Sequence, residues 1–445
     1  MFWIVWTVFL ILNISVLFKL RSHPIYEPRV LFSLSSLPWL ITGYGYSIDY
    51  EGFLAAKAGF YSASLEVLSI KAMSLFVLGY LSFIAGASVK TGHPAAGHFN
   101  SHRNPSLISS LKIVSWVMIL LAALNFSVNV VMISGGNILD YLSNTAGRSY
   151  QVAEGQGISA IGYIFGLVGV NFIFYFAGKE NTSKKAMLFL LMLLVIFILV
   201  RASQGRIFQT LVFIGSTYVC YLIAIHQSGR VNASYVKSIP VFLSLALLGV
   251  ALYFLRILSA YFYSGKDLAS VDFDFIFSGF MHFAVERGNV PNVPILLTLI
   301  DKIPEETFYF AGSTIPNFLL WLIPKSLLAP DYLISLRIKE LWYLDIPGGG
   351  LPPTGVGEWY ANFGIAGVFV GMFLVGFTLK YIYSKALSGS SPYLKVIWAN
   401  LSIGFIVIYP KTDLSQIPSF IILVVGIFWL CAGILHTIVR PKNIR

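Results

Sequence analysis

The chain has 445 residues, 57% of them hydrophobic and 11% charged, with a mean hydropathy of +0.78. Soluble domains carry roughly 25% charged residues, so the composition excludes an ordinary soluble enzyme. Cys220 and Cys431 both lie inside apolar runs, which excludes a disulfide framework and a thiolate metal site, and the net charge of +11 follows topology, not a nucleic-acid surface.

The first apolar run starts at Phe2 with no basic residue before it and Lys19 and Arg21 after it, the reverse of a cleavable signal peptide, so it reads as a retained span. Uncharged stretches of bilayer length follow at about 30–48, 72–89, 113–133, 158–178, 186–200, 207–226, 239–256, 359–379, 396–410 and 416–439. The expected fold is all-α: a polytopic membrane helix bundle of about 11 transmembrane spans. The runs 186–200 and 396–410 are short and need Lys184, Lys185, Arg201, Lys395 and Lys411 to snorkel.

Charge bias sets the orientation. With the N-terminus outside, 17 of the 30 basic residues fall on the inner face against 6 in the short outer connections, and Glu27 and Glu180 are the only acids inside. The chain then divides into an N-terminal bundle at 1–256, a long outer loop at 257–357 and C-terminal spans at 358–445. A loop of that length is usually functional. It carries amphipathic helices expected at about 270–287 and 331–343, and between them Ile315 to Leu328 (IPNFLLWLIPKSLL), apolar but interrupted by Pro316 and Pro324, reads as an interfacial or re-entrant hairpin.

Arg148, Arg201, Arg206, Arg256, Arg287 and Arg337 lie on the outward side, several at span ends where a cation is costly without a partner. Guanidinium forks clamp phosphate or carboxylate, so a cluster there suits a lipid diphosphate or an acidic sugar; pairing with outer acids or headgroups is the plainer alternative. Lys266 and Lys302 read as ordinary solvated charges. His282 and Glu286, four residues apart in HFAVERGN and followed by Arg287, place an imidazole beside a carboxylate, although Phe280 and Phe283 also make His282 a plausible packed residue. In GGGLPPTGVGEWYANFGIAG, Glu358 stands where the next span begins, either as a base for a sugar hydroxyl or as a helix-start acid favoured by the macrodipole.

Two metal signals are discounted. Asp272 and Asp274 would point about 200° apart on a helix, where capping accounts for them, and His93, His98 and His102 lie in a polar inner loop without cysteine or acid. No cofactor is expected.

The outer-loop arginines, the IPNFLLWLIPKSLL segment and above all PPTGVGEWYANFGIAG before a late span resemble the O-antigen polymerases of the Wzy type, the oligosaccharide repeat-unit polymerases. The motif-level likeness covers about residues 310–370, and the family's arginine-to-glycine spacing is not clear after Arg148 or Arg206. The resemblance implies a glycosyltransferase of the bacterial inner membrane, with a periplasmic N-terminus and a cytoplasmic C-terminus. It would polymerise undecaprenyl-diphosphate-linked oligosaccharides, donor and acceptor both, on the periplasmic face into O-antigen or a related surface polysaccharide of the lipopolysaccharide kind. Neither nucleotide sugar nor metal is needed, and a chain-length regulator is the implied protein partner. On that reading Glu358, His282 and Arg287 are the expected catalytic residues, and Arg148, Arg201, Arg206, Arg256, Arg337 and Tyr360 the substrate-binding ones. The rivals are an O-antigen ligase of the same superfamily and a lipid-linked oligosaccharide flippase or transporter, whose charges would sit near the midplane within repeated halves.

Overall fold

The computed structural model describes residues 1–37, 62–91, 105–137, 157–203 apart from 181, 207–229, 234–241, 293–315, 334–342, 353–389 and 391–406, with single positions such as Trp39 and Tyr409 between them. Among these residues the regular structure is entirely helical. The helices are α1 (Phe2–Lys19), α2 (Pro28–Ser35), α3 (Leu65–Ser88), α4 (Pro105–Ser134), α5 (Gly157–Glu180), α6 (Lys184–Ser203), α7 (Ile207–Gln227), α8 (Val293–Lys302), α9 (Ile334–Trp342), α10 (Gly355–Ser388) and α11 (Pro392–Ile406), with one 3-10 turn at Tyr235–Ser238. Among the described residues five stretches are long and apolar enough to cross a membrane: Phe2–Lys19, Leu65–Ser88, Ile108–Met132, Thr210–Gln227 and Gly355–Ser388. Helices α5 and α6 also overlie the apolar runs expected at 158–178 and 186–200. In the run expected at 30–48 the described helix ends early, at Ser35, where Ser36 turns its hydroxyl back to the Phe32 carbonyl at 2.7 Å. The loop helix at 270–287 lies outside the described residues, as does the run at 416–439 apart from four single positions.

Large apolar side chains face outward along these helices, among them Leu120 at 71% exposure on α4 and Leu188 at 60% on α6. A water-soluble bundle would bury such a surface, whereas lipid solvates it.

The chain forms two compact units that alternate along the sequence. The first comprises Met1–His93, Phe277–Lys385 and Leu401–Ile421. Its centre is aromatic: Phe9 of α1 meets Phe76 and Tyr80 of α3 edge-on at 5.2 and 5.4 Å, Phe32 of α2 stacks on Phe83 at 3.8 Å, and Ser33 and Tyr80 share a hydroxyl hydrogen bond of 2.9 Å. Helices α3 and α10 run parallel along a seam of small residues. A methyl group on Gly86 would strike the Phe373 carbonyl, and one on Gly376 would strike the Phe83 carbonyl. Bare glycine lets two backbones touch, the usual way helices associate where lipid removes the hydrophobic driving force.

The second unit comprises Pro94–Ile276, Ala386–Asn400 and Ile422–Arg445. Gly169 of α5 packs on the Ser115 carbonyl of α4, and Gly178 on Tyr221 and Ala224 of α7. Between α5, α7 and the middle of α11 lies a polar cluster. Asn171 donates to Asn400 Oδ1 at 3.0 Å and to Ser216 Oγ at 3.2 Å, and accepts from Thr217 Oγ1 at 2.7 Å.

Candidate functional site

The first unit gathers one cluster of polar residues where α10 begins, and α10 is not one straight helix. Gly364 adopts φ 66° and ψ −153°, and the chain reverses there. The reversal is visible in the packing: Trp359 lays its indole against Gly371, its carbonyl lies against Gly367, and Val356 meets the same point beside Gly79 of α3 as Val368 and Met372 do. In a continuous helix Trp359 and Gly371 would be about 18 Å apart at 1.5 Å per residue. Residues 355–363 are therefore a short arm folded back on a stem at 365–388. The sequence reading, with Glu358 opening a single span at 359–379, is corrected on this point. Only glycine adopts the Gly364 conformation without strain, and a side chain there would also press on Tyr309 Oη at 3.0 Å.

The break frees backbone groups, and the preceding loop uses them. Without helical continuation past Gly364, the carbonyls of Ala361 and Asn362 accept instead from the N–H groups of Phe310 and Ala311, at 2.9 and 3.1 Å. Ala311 and Gly312 take left-handed φ values of 48° and 83° to make this turn. The Gly312 N–H then donates to Asn362 Oδ1 at 2.9 Å. At its other end the arm is capped by Thr354, whose Oγ1 accepts from the Gly357 N–H at 2.9 Å. Tyr409 anchors that end by accepting from the Gly355 N–H at 3.0 Å and, on its hydroxyl, from Trp359 Nε1 at 2.8 Å.

Glu358 sits on the arm with no exposed surface, beside Thr314 and Asn362, each 1% exposed. The Thr314 hydroxyl donates to Glu358 Oε1 at 3.4 Å, and Asn362 Nδ2 donates to Thr314 Oγ1 at 2.7 Å and to the Glu358 carbonyl at 2.8 Å. Next to Thr314, Ser313 accepts from Arg337 Nη1 at 3.4 Å, and the Arg337 guanidinium lies 4.1 Å over the Phe310 ring. Arg337 belongs to α9, which falls within the amphipathic helix expected at 331–343. Among the described residues no carboxylate pairs with Arg337. One short loop thus links a buried carboxylate to a guanidinium through consecutive residues.

Tyr360, expected to bind substrate, is 8% exposed and gives its hydroxyl to the Ile303 carbonyl at 3.1 Å. The neighbouring open rings are Tyr309, edge-on to Tyr360 at 6.3 Å and 38% exposed, and Phe308 at 90%. Arg201 ends α6, of which only the backbone is described there, and Arg148, Arg206, Arg256, His282 and Arg287 lie outside the described residues, as does 316–328. Among the described residues no group of three or more His, Cys, Asp or Glu side chains is placed to hold a metal.

Sequence reading missed helix α8, every residue of which is buried, and the clasp at its end. Asp301 accepts from the Ser62 N–H at 2.9 Å, the Ser62 hydroxyl at 2.8 Å and the Ala63 N–H at 2.9 Å, tying α8 to the start of α3. Burial pushes the Asp301 carboxyl up, but these hydrogen bonds and Lys302 together carry it below its ordinary range. Lys302 is not a solvated charge. It is 9% exposed and bonded to Glu306 at 2.6 Å and to Asp301 at 3.5 Å, and the Glu306 hydrogen bond leads in raising its pKa.

No protein-family model, curated protein or solved structure matches the chain. Architecture therefore gives the class: a helical protein with helices of membrane-crossing length and a carboxylate buried on a folded-back arm.

Proposed function

We propose that the chain is a Wzy-type oligosaccharide repeat-unit polymerase with about 11 spans, a periplasmic N-terminus and a cytoplasmic C-terminus, acting on the periplasmic face of a bacterial inner membrane. The observation that carries this reading is the Glu358 arm. A fully buried carboxylate is costly to maintain among apolar helices, and structural packing alone does not require one joined through Thr314 and Ser313 to a guanidinium that has no carboxylate partner among the described residues.

In the proposed reaction Glu358 accepts the proton of the acceptor sugar hydroxyl. The acceptor oxygen forms a bond to the donor's anomeric carbon as the bond from that carbon to the diphosphate oxygen breaks, and the electron pair leaves on undecaprenyl diphosphate. Arg337 meets the growing charge with its guanidinium fork. Tyr309 and Phe308 offer open rings for sugar faces.

The surface polysaccharide of a deletion strain tests the reading. Single repeat units on the core, restored to a ladder by the wild-type gene, are expected of a polymerase, whereas loss of all polysaccharide from the core would replace this reading by the ligase or the flippase. Orientation is tested separately with single cysteines and a membrane-impermeant thiol reagent in intact cells. Positions 265–270 and 345–350 should label and 90–110 should not, and labelling at 91–98 from outside would reverse the topology.

A further inference from the structure

A second charged site lies at the other end of the first unit, about 24 Å along the stem from Gly364 at 1.5 Å per residue. Its core is Glu27, which has no exposed surface and caps α2 by accepting from the Arg29 and Val30 N–H groups at 2.8 and 3.3 Å. The other carboxylate oxygen accepts from Arg29 Nε at 2.8 Å and from Lys380 Nζ on α10 at 3.2 Å. Two cations therefore share one carboxylate oxygen. Arg29 Nη1 reaches on to Ser88 Oγ at 3.5 Å at the end of α3, and exposed Lys90 follows directly. Arg29, Ser88, Lys90, Thr91 and Lys380 line a cavity of about 460 Å³.

The charge balance is positive. Among the described residues three cations face one carboxylate, and the charges of about +0.5 at the start of α2 and about −0.5 at the end of α3 offset each other, so the cavity keeps an excess of about +2. The cations arrive from three directions, from α2, from the end of α3 and from α10, which matches a tetrahedral group more closely than a planar carboxylate. The surroundings indicate where such a group would come from. Val370, Leu374, Phe377 and Tyr381 form an exposed apolar stripe down the stem, at 52, 49, 37 and 48%, which ends beside Lys380, and Lys385 lies 5.6 Å over the Tyr381 ring. An apolar stripe finished by an aromatic ring and lysines is the pattern of a membrane–headgroup boundary.

We propose that this cavity binds a phosphate group, and that its occupant is the headgroup of an anionic phospholipid whose acyl chains lie along the stripe of α10. The proposal does not depend on the polymerase reading. The test titrates the purified full-length protein in detergent with phosphatidylglycerol, phosphatidylcholine or inorganic phosphate at constant ionic strength, reading binding by native mass spectrometry and the thermal unfolding midpoint. Phosphatidylglycerol should bind at least about tenfold more tightly than phosphatidylcholine, and Lys90→Glu should remove that preference. Lys90 stands outside the Glu27 pairs, so the variant keeps them, and an unchanged midpoint without lipid verifies its fold. Stabilisation by phosphatidylglycerol but not by inorganic phosphate supports the headgroup. Equal stabilisation by inorganic phosphate, lost in Lys90→Glu, keeps the phosphate site but overturns the lipid as its occupant. Equal affinity for the two lipids with no phosphate effect, or a preference that survives Lys90→Glu, overturns the proposal.

Discussion

Asn171 and Glu358 are both buried polar residues among apolar helices, and each sits in a hydrogen-bonded cluster. The clusters differ in charge and in backbone. Around Asn171 every partner is neutral, and the side chains reach between helices whose backbones need no break: Asn400, Ser216 and Thr217 satisfy the amide, as expected of polar glue between membrane helices. Around Glu358 the group is ionisable, its helix reverses at Gly364, the partners come from an irregular loop, and a guanidinium stands one residue away. A cluster that only holds helices together needs none of these costly features, and the proposed role of Glu358 rests on that difference.

That contrast can be broken experimentally. The largest effect is expected at Glu358, where Glu358→Gln keeps size and most hydrogen bonding but removes the proton acceptor. At matched membrane abundance, polymerisation should fall on the order of 10²–10⁴-fold, leaving single-unit product on a gel of the polysaccharide, and a normal ladder would reduce Glu358 to a packing residue. Arg337→Lys keeps the charge and loses the fork, so chain extension should slow by about 10- to 100-fold while the protein inserts normally; full polymer length would assign Arg337 to its packing on Phe310. For the clasp, Asp301→Asn should cost about 1.5–3 kcal/mol in unfolding experiments near neutral pH. Because the folded pKa of Asp301 is depressed, its contribution is complete above the ordinary carboxylate value and is lost as pH falls through the folded value. The gap between wild type and Asp301→Asn should therefore close only in strong acid, and a constant gap would show that the charge is not what holds the clasp.

Gly364→Ala should cost roughly 1–2 kcal/mol, from forcing a side chain into a positive φ, and should lower activity along with stability by disturbing the arm. Asn171→Val should give the smallest effect, about 0.6–1.7 kcal/mol in the thermal unfolding of the detergent-solubilised protein, with an unchanged polysaccharide ladder. A shortened ladder in Asn171→Val would erase the distinction between the two clusters.

Much of this was legible in the primary structure, and for identifiable reasons. Lipid demands long uncharged runs, so α1, α3, α4 and α7 declared themselves by hydropathy, and α9 by its amphipathic pattern after Asp331. Glu358 stood out because a carboxylate beside a glycine-rich stretch is unusual there. Its depth did not, because apolar residues on a folded-back arm and on a straight span look alike to a hydropathy window, and the decisive torsion belongs to one glycine among several in the motif. Asn362, four residues after Glu358, shared its face and was a signal left unused. Thr314 was harder to find: its role comes from a loop that follows α8, a helix hidden because ten residues are too few for a span. Lys302 has a local partner in Glu306, four residues on, a signal left unused; its burial beside Asp301 was hidden because Asp301 faces Ser62, a contact across 239 positions that no local pattern announces.

The seam between α3 and α10 also limits traffic. With Gly86 against the Phe373 carbonyl and Gly376 against the Phe83 carbonyl, no width remains between these helices for an acyl chain, and a larger residue at either glycine would act as a wedge. Any route from the bilayer to Glu358 must therefore lie outside the α3–α10 seam, which acts as a closed jamb.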